Sequence, residues 1–329
     1  MRAAIITRPG GPEVLEVQQR PRPIPRANEV LVRVRASALN RADLSQREGH
    51  YPAPPGSPPD IPGLEFAGEV EALGEDVRGW REGDRVFGIV GGGGNAEYLV
   101  TDAGTVARIP DRLSWTEAAA VPEVFMTAHD ALVTQAQVQR GETVLIHAVG
   151  SGVGLAATQL ARAWSATPYG TARTPAKIDD AREYGLADGV VVAGEPEAFV
   201  PYAERWTSGK GIDVTLDLVG GAYVPADVRA AALKGRIMII GTIAGATATV
   251  PIGMVLRKRL TLRGTALRSR TIEEKRAATE AFARDVVPLL DTDALRPTVD
   301  EVFELEQIAA AHERLAGNAT FGKVVLRIG

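Results

Sequence analysis

The stretch that most restricts the fold of this chain is residues 143–154, Thr-Val-Leu-Ile-His-Ala-Val-Gly-Ser-Gly-Val-Gly. Four of the five residues 144–148 are apolar, which predicts a buried parallel strand there. A glycine turn follows, and apolar periodicity then predicts a helix over 153–164. Free N–H groups and the dipole at such a helix start favour a bound diphosphate. The spacing Gly150-x-Gly152-x-Gly154 falls short of the full G-x-G-x-x-G fingerprint, so alone it fits a purely structural turn equally well.

Composition excludes several classes of function. The chain has 329 residues, enough for two domains, a formal net charge of −4 and no cysteine. The missing cysteines exclude disulfides, thiolate zinc sites and cysteine nucleophiles. The acidic balance argues against nucleic acid and anionic membranes as partners. No apolar run approaches the roughly 20 residues of a membrane span, so the sequence predicts a soluble cytoplasmic protein without a membrane partner.

The pattern of elements predicts two different architectures along the chain. Residues 1–110 hold short strand candidates separated by Gly and Pro turns, which favours an antiparallel, barrel-like domain with one short helix at 40–46. From 143 to 241, strands and helices alternate, which predicts a parallel sheet with helices on both faces. This is the context that a diphosphate cradle needs. The predicted strands there are 144–148, 166–170, 189–192, 213–218 and 236–241, and the helices are 153–164, 175–184, 197–207 and 223–233. Beyond them we predict a strand at 260–265, helices at 271–287 and 305–315, and a last strand at 322–327.

The end of the second predicted strand indicates the cofactor. An NAD site usually places an acid about 20 residues after the glycines to hold the ribose hydroxyls. Here the first acid after the strand is Asp179, inside the next predicted helix, and Thr171, Arg173 and Lys177 come before it. Donors and cations suit a 2′-phosphate, so we predict NADPH. The alternative is that Arg173 and Lys177 are solvated surface charges.

Several motifs, in the same order along the chain, resemble one family. The chain resembles the medium-chain dehydrogenase/reductases, and among them the zinc-free quinone oxidoreductases of the zeta-crystallin type. The loop beginning Tyr51-Pro-Ala-Pro-Pro-Gly and the segment Leu267-Arg-Ser-Arg270 look most like the p53-inducible quinone oxidoreductase branch. The motifs that carry the family resemblance are Ala38-Leu-Asn-Arg-Ala-Asp-Leu44, Gly63-Leu-Glu-Phe-Ala-Gly68, Gly83-Asp-Arg-Val-Phe87, Ser151-Gly-Val-Gly154 and Phe321-Gly-Lys-Val-Val-Leu326.

The resemblance implies an α/β plus β fold, in which a GroES-like barrel-type catalytic domain is interrupted in sequence by a Rossmann domain with a doubly wound parallel sheet. We therefore expect the catalytic domain at 1–122, the NADPH-binding domain at 123–262, and the completion of the catalytic domain at 263–329. The resemblance also implies homodimers joined edge to edge through strands near 245–265.

The same resemblance bears on zinc. Zinc-dependent relatives use an early Cys and the His of a Gly-His-Glu motif, and the corresponding positions here look like Ser37 and Leu64, with Glu65 retained. Catalytic zinc normally needs three protein ligands. The histidines at 50, 129, 147 and 312 are scattered without ligand spacing, and His147, within a strand, is expected to be a hydrogen-bonded core residue. We predict no metal.

Two polar residues are the catalytic candidates. Asn40 could hydrogen-bond the substrate, or it could simply cap the helix that follows. Tyr51 opens the proline-rich loop 51–63, a rigid irregular segment that is either a surface excursion or one wall of a cleft. Its hydroxyl could donate to the substrate or its ring could stack on it, or it could only pack. Arg41 and Asp43 could be an ion pair that fixes the helix.

The resemblance and the glycine turn supply the remaining cofactor contacts. Lys323 is the weakest of them, because a lysine that opens a terminal strand is often only solvated. The full cofactor set is Met126, Thr127, Gly150, Ser151, Gly152, Val153, Gly154, Thr171, Arg173, Lys177, Gly241, Thr242, Ile243, Ala266, Leu267, Arg268, Gly322 and Lys323.

The main functional hypothesis is NADPH-dependent reduction of a small quinone. The first alternative is reduction of an activated alkene such as an enone, a 2-alkenal or an enoyl group, which needs a proton donor opposite the hydride. Tyr51 could serve as that donor. The second alternative is an NADPH-binding protein with little turnover.

Overall fold

The computed structural model describes residues 1–329 and divides them into two compact units. Unit 1 consists of residues 1–126 and 267–329, and unit 2 of residues 127–266. Each junction lies four residues beyond the predicted one. Unit 2 therefore interrupts unit 1 in sequence, as the resemblance implies.

The first segment of unit 1 consists mainly of antiparallel strands. In β3, alternate valines at positions 30, 32 and 34 enter the core, because successive side chains of a strand point to opposite faces. Between Tyr51 and Gly63 the chain forms neither helix nor strand, as the prolines predict. The strands are β1 (Arg2–Ile6), β2 (Leu15–Gln19), β3 (Glu29–Ala38), β4 (Glu65–Leu73), β5 (Arg85–Ile89), β6 (Tyr98–Asp102) and β7 (Val106–Arg108). The helices are α1 (Arg41–Arg47), α2 (Trp115–Ala119) and α3 (Pro122–His129), the last crossing the junction of the units, with 3₁₀ turns at Pro12–Val14 and Ala103–Thr105.

Unit 2 is a parallel sheet with intervening helices, which confirms the predicted doubly wound architecture. Its six strands lie in the order β10-β9-β8-β11-β12-β13, and all neighbours run parallel. The strands are β8 (Thr143–Ile146), β9 (Thr167–Ala172), β10 (Asp188–Val191), β11 (Ile212–Asp217), β12 (Ala231–Ile239) and β13 (Thr261–Gly264). The helices are α4 (Gly152–Ala163), α5 (Pro175–Arg182), α6 (Val200–Trp206), α7 (Tyr223–Ala230) and α8 (Ile252–Lys258), with a π-helical turn at Asp130–Gln135 and a 3₁₀ turn at Pro196–Phe199.

The C-terminal segment returns the chain to unit 1. It contains α9 (Ile272–Asp285), α10 (Val287–Asp291), β14 (Val299–Glu304), a 3₁₀ turn at Leu305–Gln307, α11 (Ile308–Ala316) and β15 (Lys323–Arg327). Strand β15 pairs antiparallel with β3, and the sheet runs β14-β15-β3-β4-β5-β7, with β6 also on β3. The last strand therefore lies beside the strand that leads to Asn40.

Three boundaries differ from prediction for physical reasons. Strand β8 ends at Ile146 because Ala148 takes a left-handed φ of 52° and turns the chain. The helix predicted to reach residue 233 ends at Ala230, where the Lys258 ammonium donates to carbonyl oxygens at the helix end, including that of Arg229 at 2.6 Å. The helix predicted at 271–287 ends at Asp285, because Pro288 lies in the first turn of a separate helix, α10, which begins at Val287. Elements α8, α10 and β14 were not predicted.

Each unit has its own hydrophobic core. In unit 1 it is formed by side chains from the strands together with Leu305, Ile308 and Leu315. In unit 2, Leu145, Phe199 and Ile212 are central. None of the helices combines the length and the apolar composition needed to cross a bilayer.

Candidate active site and cofactor cradle

The glycine turn in unit 2 has the geometry of an anion cradle. Ser151 is the N-cap of α4, and its hydroxyl oxygen accepts the N–H of Gly154 at 3.1 Å. The N–H groups of Gly152 and Val153 have no acceptor within the chain, so they remain available to an anion. A Cβ on Gly154 would lie 2.6 Å from the carbonyl oxygen of Ala148, so only glycine allows the helix to start this close to the strand.

Cations, and no acid, lie at the end of the second strand. Arg173 follows β9 directly and is exposed. Lys177, on α5, lies against the turn, because a Cβ on Gly150 would be 2.9 Å from its Cδ. The first acid, Asp179, is exposed on α5 and forms an ion pair with Arg182. These residues fit a phosphorylated ribose better than a ribose whose hydroxyls need a carboxylate.

The structure corrects the role predicted for Thr171. Its side chain is buried, and its hydroxyl lies 2.9 Å from Nδ1 of His147, whose Nε2 is 2.7 Å from the Asp227 carboxylate. A hydroxyl engaged inside the sheet does not reach a phosphate at the surface. His147 is a hydrogen-bonded core histidine, as predicted. Ligand spacing in the sequence did not reveal that His147, Asp217 and Asp227 place donor atoms within 4.8 Å of one another.

Three strand ends in unit 1 bring together a buried polar cluster of Asn40, Glu65 and Lys323. Asn40 follows β3, Glu65 opens β4 on one side of it, and Lys323 opens β15 on the other. The Lys323 ammonium lies 2.7 Å from Glu65 Oε1 and 2.6 Å from Asn40 Oδ1. Glu65 also accepts the Asn40 amide at 2.9 Å and the N–H of Glu123 at 2.8 Å. The Lys323 side chain is 5% exposed and that of Glu65 0%, so this lysine is not solvated.

Asn40 is the N-cap of the helix that follows it, which is one of the two roles that the sequence left open. As N-cap of α1, its N–H donates to Asp43 at 2.7 Å, and the other Asp43 oxygen accepts the N–H of Gly63 at 3.0 Å. Burial raises the pKa of Asp43 to about 6. Asp43 is therefore held by backbone groups, and the predicted ion pair with Arg41 is wrong, since Arg41 bonds to the side chain of Asn318. The Asn40 side chain is turned to Glu65 and Lys323, and its contact with substrate stays a prediction.

Tyr51 packs against Arg268. The guanidinium carbon lies 4.4 Å from the centroid of the Tyr51 ring, a cation–π contact. The guanidinium also donates to the Gly91 carbonyl at 2.7 Å and to Gln46 Oε1 at 2.8 Å. The Arg268 side chain therefore holds the start of the proline-rich loop at Tyr51, and its contact with a cofactor stays a prediction. Tyr51 is 36% exposed, and its hydroxyl has no partner within the chain.

Sequence reasoning missed Glu123. This residue lies in the first turn of α3, where an acid is ordinarily explained by the helix dipole. Its carboxyl group accepts no hydrogen bond, although its N–H is held by Glu65. Burial, with the neighbouring Glu65 charge, raises the pKa of Glu123 to about 8. Nothing in the sequence indicates this, because Glu65 is 58 residues away.

The other predicted contacts fall in both units. Met126 is buried and Thr127 half-buried on α3, and Gly322 is buried before β15. Gly241, Thr242 and Ile243 follow β12, where Ile243 is 68% exposed, while Ala266 is exposed and Leu267 buried. Their contacts with a cofactor stay predictions.

Comparison with known proteins identifies the family. Residues 26–111 match the family described as alcohol dehydrogenase GroES-like domain, and residues 152–284 match the one described as zinc-binding dehydrogenase. The quinone oxidoreductases of Lama guanicoe and Homo sapiens are 34% and 31% identical to the chain, over 99% of its length and 97% of theirs. The chain belongs to the quinone oxidoreductase family of the medium-chain dehydrogenase/reductases.

Solved structures of this family share the fold. A quinone oxidoreductase of Pseudomonas syringae pv. Tomato DC3000 superposes with a TM-score of 0.88 at 29% identity, over 99% of both chains. The CurK enoyl reductase gives 0.87 at 28% identity, over 100% of this chain and 99% of its own. A mycobacterial protein complexed with NADPH gives 0.87 at 27% identity, over 99% of this chain and 100% of its own. As a member of the quinone oxidoreductase family, the protein is an oxidoreductase with a nicotinamide-binding Rossmann unit.

Proposed function

We propose that this oxidoreductase reduces quinones with NADPH and without zinc. The observation that carries the cofactor assignment is the pair Arg173 and Lys177 beside the glycine turn, with no acid at the end of β9. The quinone oxidoreductase relatives and the mycobacterial NADPH complex support it. When bound, the nicotinamide supplies a hydride, and the chain binds and orients the reactants and excludes water.

Different residues of the cradle would bind the two phosphate-bearing parts of the cofactor. The N–H groups of Gly152 and Val153 would hold the pyrophosphate at the start of α4. Arg173 and Lys177 would hold the 2′-phosphate, for which a guanidinium offers paired donors and an ammonium a point charge.

The test is the cofactor preference of the wild type and of Arg173→Ala and Lys177→Ala. A charged hydrogen bond contributes about 1.5–3 kcal/mol, so each variant should raise KM for NADPH by about 10–100-fold. KM for NADH should change little, because NADH lacks the phosphate. Lys210→Ala, at an exposed lysine, is the matched control. A wild type that prefers NADH would overturn the assignment.

The positions that correspond to zinc ligands support a metal-free mechanism. Ser37 is fully buried and its hydroxyl donates to Asn95 Oδ1 at 2.6 Å, and Leu64 offers no ligand atom. Metal analysis of active protein and assays after chelation test this point. Loss of activity on chelation that zinc restores would contradict it.

A second acceptor class is favoured by a specific observation. Reduction of an activated alkene needs a proton donor, the carboxyl of Glu123 is raised in pKa to about 8, and one structural neighbour is an enoyl reductase. Loss of reduced-cofactor absorbance with a panel of 1,2-quinones, 1,4-quinones and enones separates the two acceptors. Tight NADPH binding without turnover of any of them would favour the cofactor-binding protein of low turnover.

A homodimer is the proposed assembly. Strand β13 is an edge of the sheet in unit 2, and Ile252 and Leu256 on α8 are 67% and 74% exposed. An unpaired edge beside exposed apolar side chains suits pairing with a second copy. Between 245 and 265 the structure has this one strand and helix α8, not several strands. Light scattering after size exclusion measures the assembly, and a monomer at all concentrations would refute it.

A further inference from the structure

Glu123 is the one acid beside Asn40, Glu65 and Lys323 whose carboxyl group has neither a counterion nor a hydrogen-bond donor. Its N–H is fixed by Glu65 Oε2 at 2.8 Å, which sets the start of α3, but its own carboxyl group accepts no hydrogen bond in the chain. The residue is half-buried, and its carboxyl oxygens are absent from the fully buried, unpartnered polar atoms. The carboxyl therefore keeps an accessible face.

The charges that face Glu123 explain why it holds a proton. They are the carboxyls of Glu65 and Asp43 and the cations of Lys323 and Arg268. Lys323 is paired with Glu65, and Asp43 is held by backbone N–H groups. The Arg268 guanidinium donates to the Gly91 carbonyl and to Gln46, and it packs on the Tyr51 ring. A second unpaired carboxylate beside Glu65 is unfavourable in a desolvated site. Glu123 is therefore the acid in this environment that holds a proton.

We propose that Glu123 is the proton donor for reduction of an activated alkene. This role rests on the proposed function, because the reduced nicotinamide is the source of the hydride. The β carbon of the alkene gains the hydride with its electron pair and forms a C–H bond, and the π electrons move to the α carbon and its carbonyl group. The O–H bond of the Glu123 carboxyl breaks, and its proton forms the C–H bond at the α carbon. The resulting carboxylate regains a proton from water at its accessible face.

Glu65 cannot take this role, because its carboxylate is fully buried and already accepts three hydrogen bonds, one of them from the Lys323 ammonium. The proposal also separates the two acceptor classes. A reduced quinone takes its protons on oxygen, where exchange with water is fast, whereas an alkene must be protonated on carbon. Loss of the acid should therefore impair enone reduction far more than quinone reduction.

The experiment compares wild type with Glu123→Gln, which keeps the shape but holds no acidic proton, and with Glu82→Gln, an exposed control. We expect kcat for an enone to fall by about 10²–10⁴-fold in Glu123→Gln. We expect a much smaller fall with a quinone, and an unchanged Kd for NADPH. Enone turnover by the wild type should decline above about pH 8, and this decline should be missing from the pH profile of Glu123→Gln. Glu123→Asp should restore part of the enone turnover.

A second measurement needs neither cofactor nor turnover. In the protein labelled with ¹³C at glutamate carboxyls, one resonance should titrate near pH 8 in wild type and be missing in Glu123→Gln. Equal losses with enone and quinone, or no such resonance, would overturn the role. A wild type that reduces quinones but no activated alkene would overturn it and leave the proposed function standing. A wild type that binds NADPH and reduces neither would overturn both.

Discussion

Replacing Lys323 by methionine tests the buried pair that joins the last strand to the rest of unit 1. Methionine fills a similar volume but leaves the fully buried Glu65 carboxylate without its cation. Removing one partner of a buried pair costs about 3–5 kcal/mol. The Leu39 carbonyl and Asn40 Oδ1 also lose the donor that lies 2.7 and 2.6 Å away. A buried acceptor left unpaired adds about 1–3 kcal/mol, so the upper part of the first range is the expected cost.

Thermal unfolding at pH 7 measures this loss. For a folding unit of this size, 1 kcal/mol shifts Tm by about 2–4 °C, so a loss of about 4–5 kcal/mol in Lys323→Met should lower the Tm of unit 1 by about 8–20 °C. Lys210→Met changes an exposed lysine and should stay within about 0.5 kcal/mol of wild type.

The double variant Glu65→Gln/Lys323→Met isolates the pair itself. Glutamine carries no charge, and its oxygen still accepts from the Asn40 amide or from the N–H of Glu123. The double variant should therefore be more stable than the sum of the single losses predicts, with a coupling of about 0.5–3 kcal/mol. Strict additivity, or a Lys323→Met protein as stable as wild type, would refute the view that this pair is energetically coupled in the folded protein.

Three further predictions follow from the same structure. Tyr51→Phe should lower turnover with little change in NADPH affinity, because the ring still packs on Arg268 while the hydroxyl is lost; an unchanged kcat would rule out a hydrogen bond from this hydroxyl to the substrate. Folding raises the pKa of Glu123 from 4.5 to about 8, so the folded protein binds this proton more tightly than the unfolded chain does. The stability that this proton contributes is fully present below pH 4.5 and is lost as the pH rises through 8. In Glu123→Gln the free energy of unfolding, measured with urea, should depend less on pH between pH 5 and 9. A pH dependence equal to that of wild type would contradict the raised pKa of Glu123. Ile252→Glu/Leu256→Glu should place charge on the exposed face of α8 and convert the proposed dimer to a monomer in light scattering, whereas a dimer that persists would exclude this face from the interface.

The sequence predicted well the features that depend on neighbouring residues. The apolar run before the glycines is a buried strand, the glycine turn starts a helix, and strand–helix alternation produced a parallel sheet, because each is set by short-range periodicity. The side-chain contact of Thr171 could not be predicted from short-range periodicity. Its position after the glycines suggested a phosphate contact, but the pairing of strands in the sheet turned its hydroxyl towards His147. Nor could periodicity predict the end of α7, which the distant Lys258 fixes through its ammonium group.

The acid at position 123 shows why the chemistry of the site needed the fold. Lys323 is 258 residues from Glu65 in sequence, and the two meet only because β15 and β4 flank the same strand. The Lys323 ammonium then pairs with the Glu65 carboxylate, while the Asp43 carboxyl group accepts hydrogen bonds from two backbone N–H groups. Glu123 has neither kind of partner and lies beside an anion, so it is the acid of the cluster that most readily keeps its proton at neutral pH. Lys323, which the sequence suggested as a cofactor contact with a solvated side chain as the alternative, therefore decides which acid in the site is free to carry a proton.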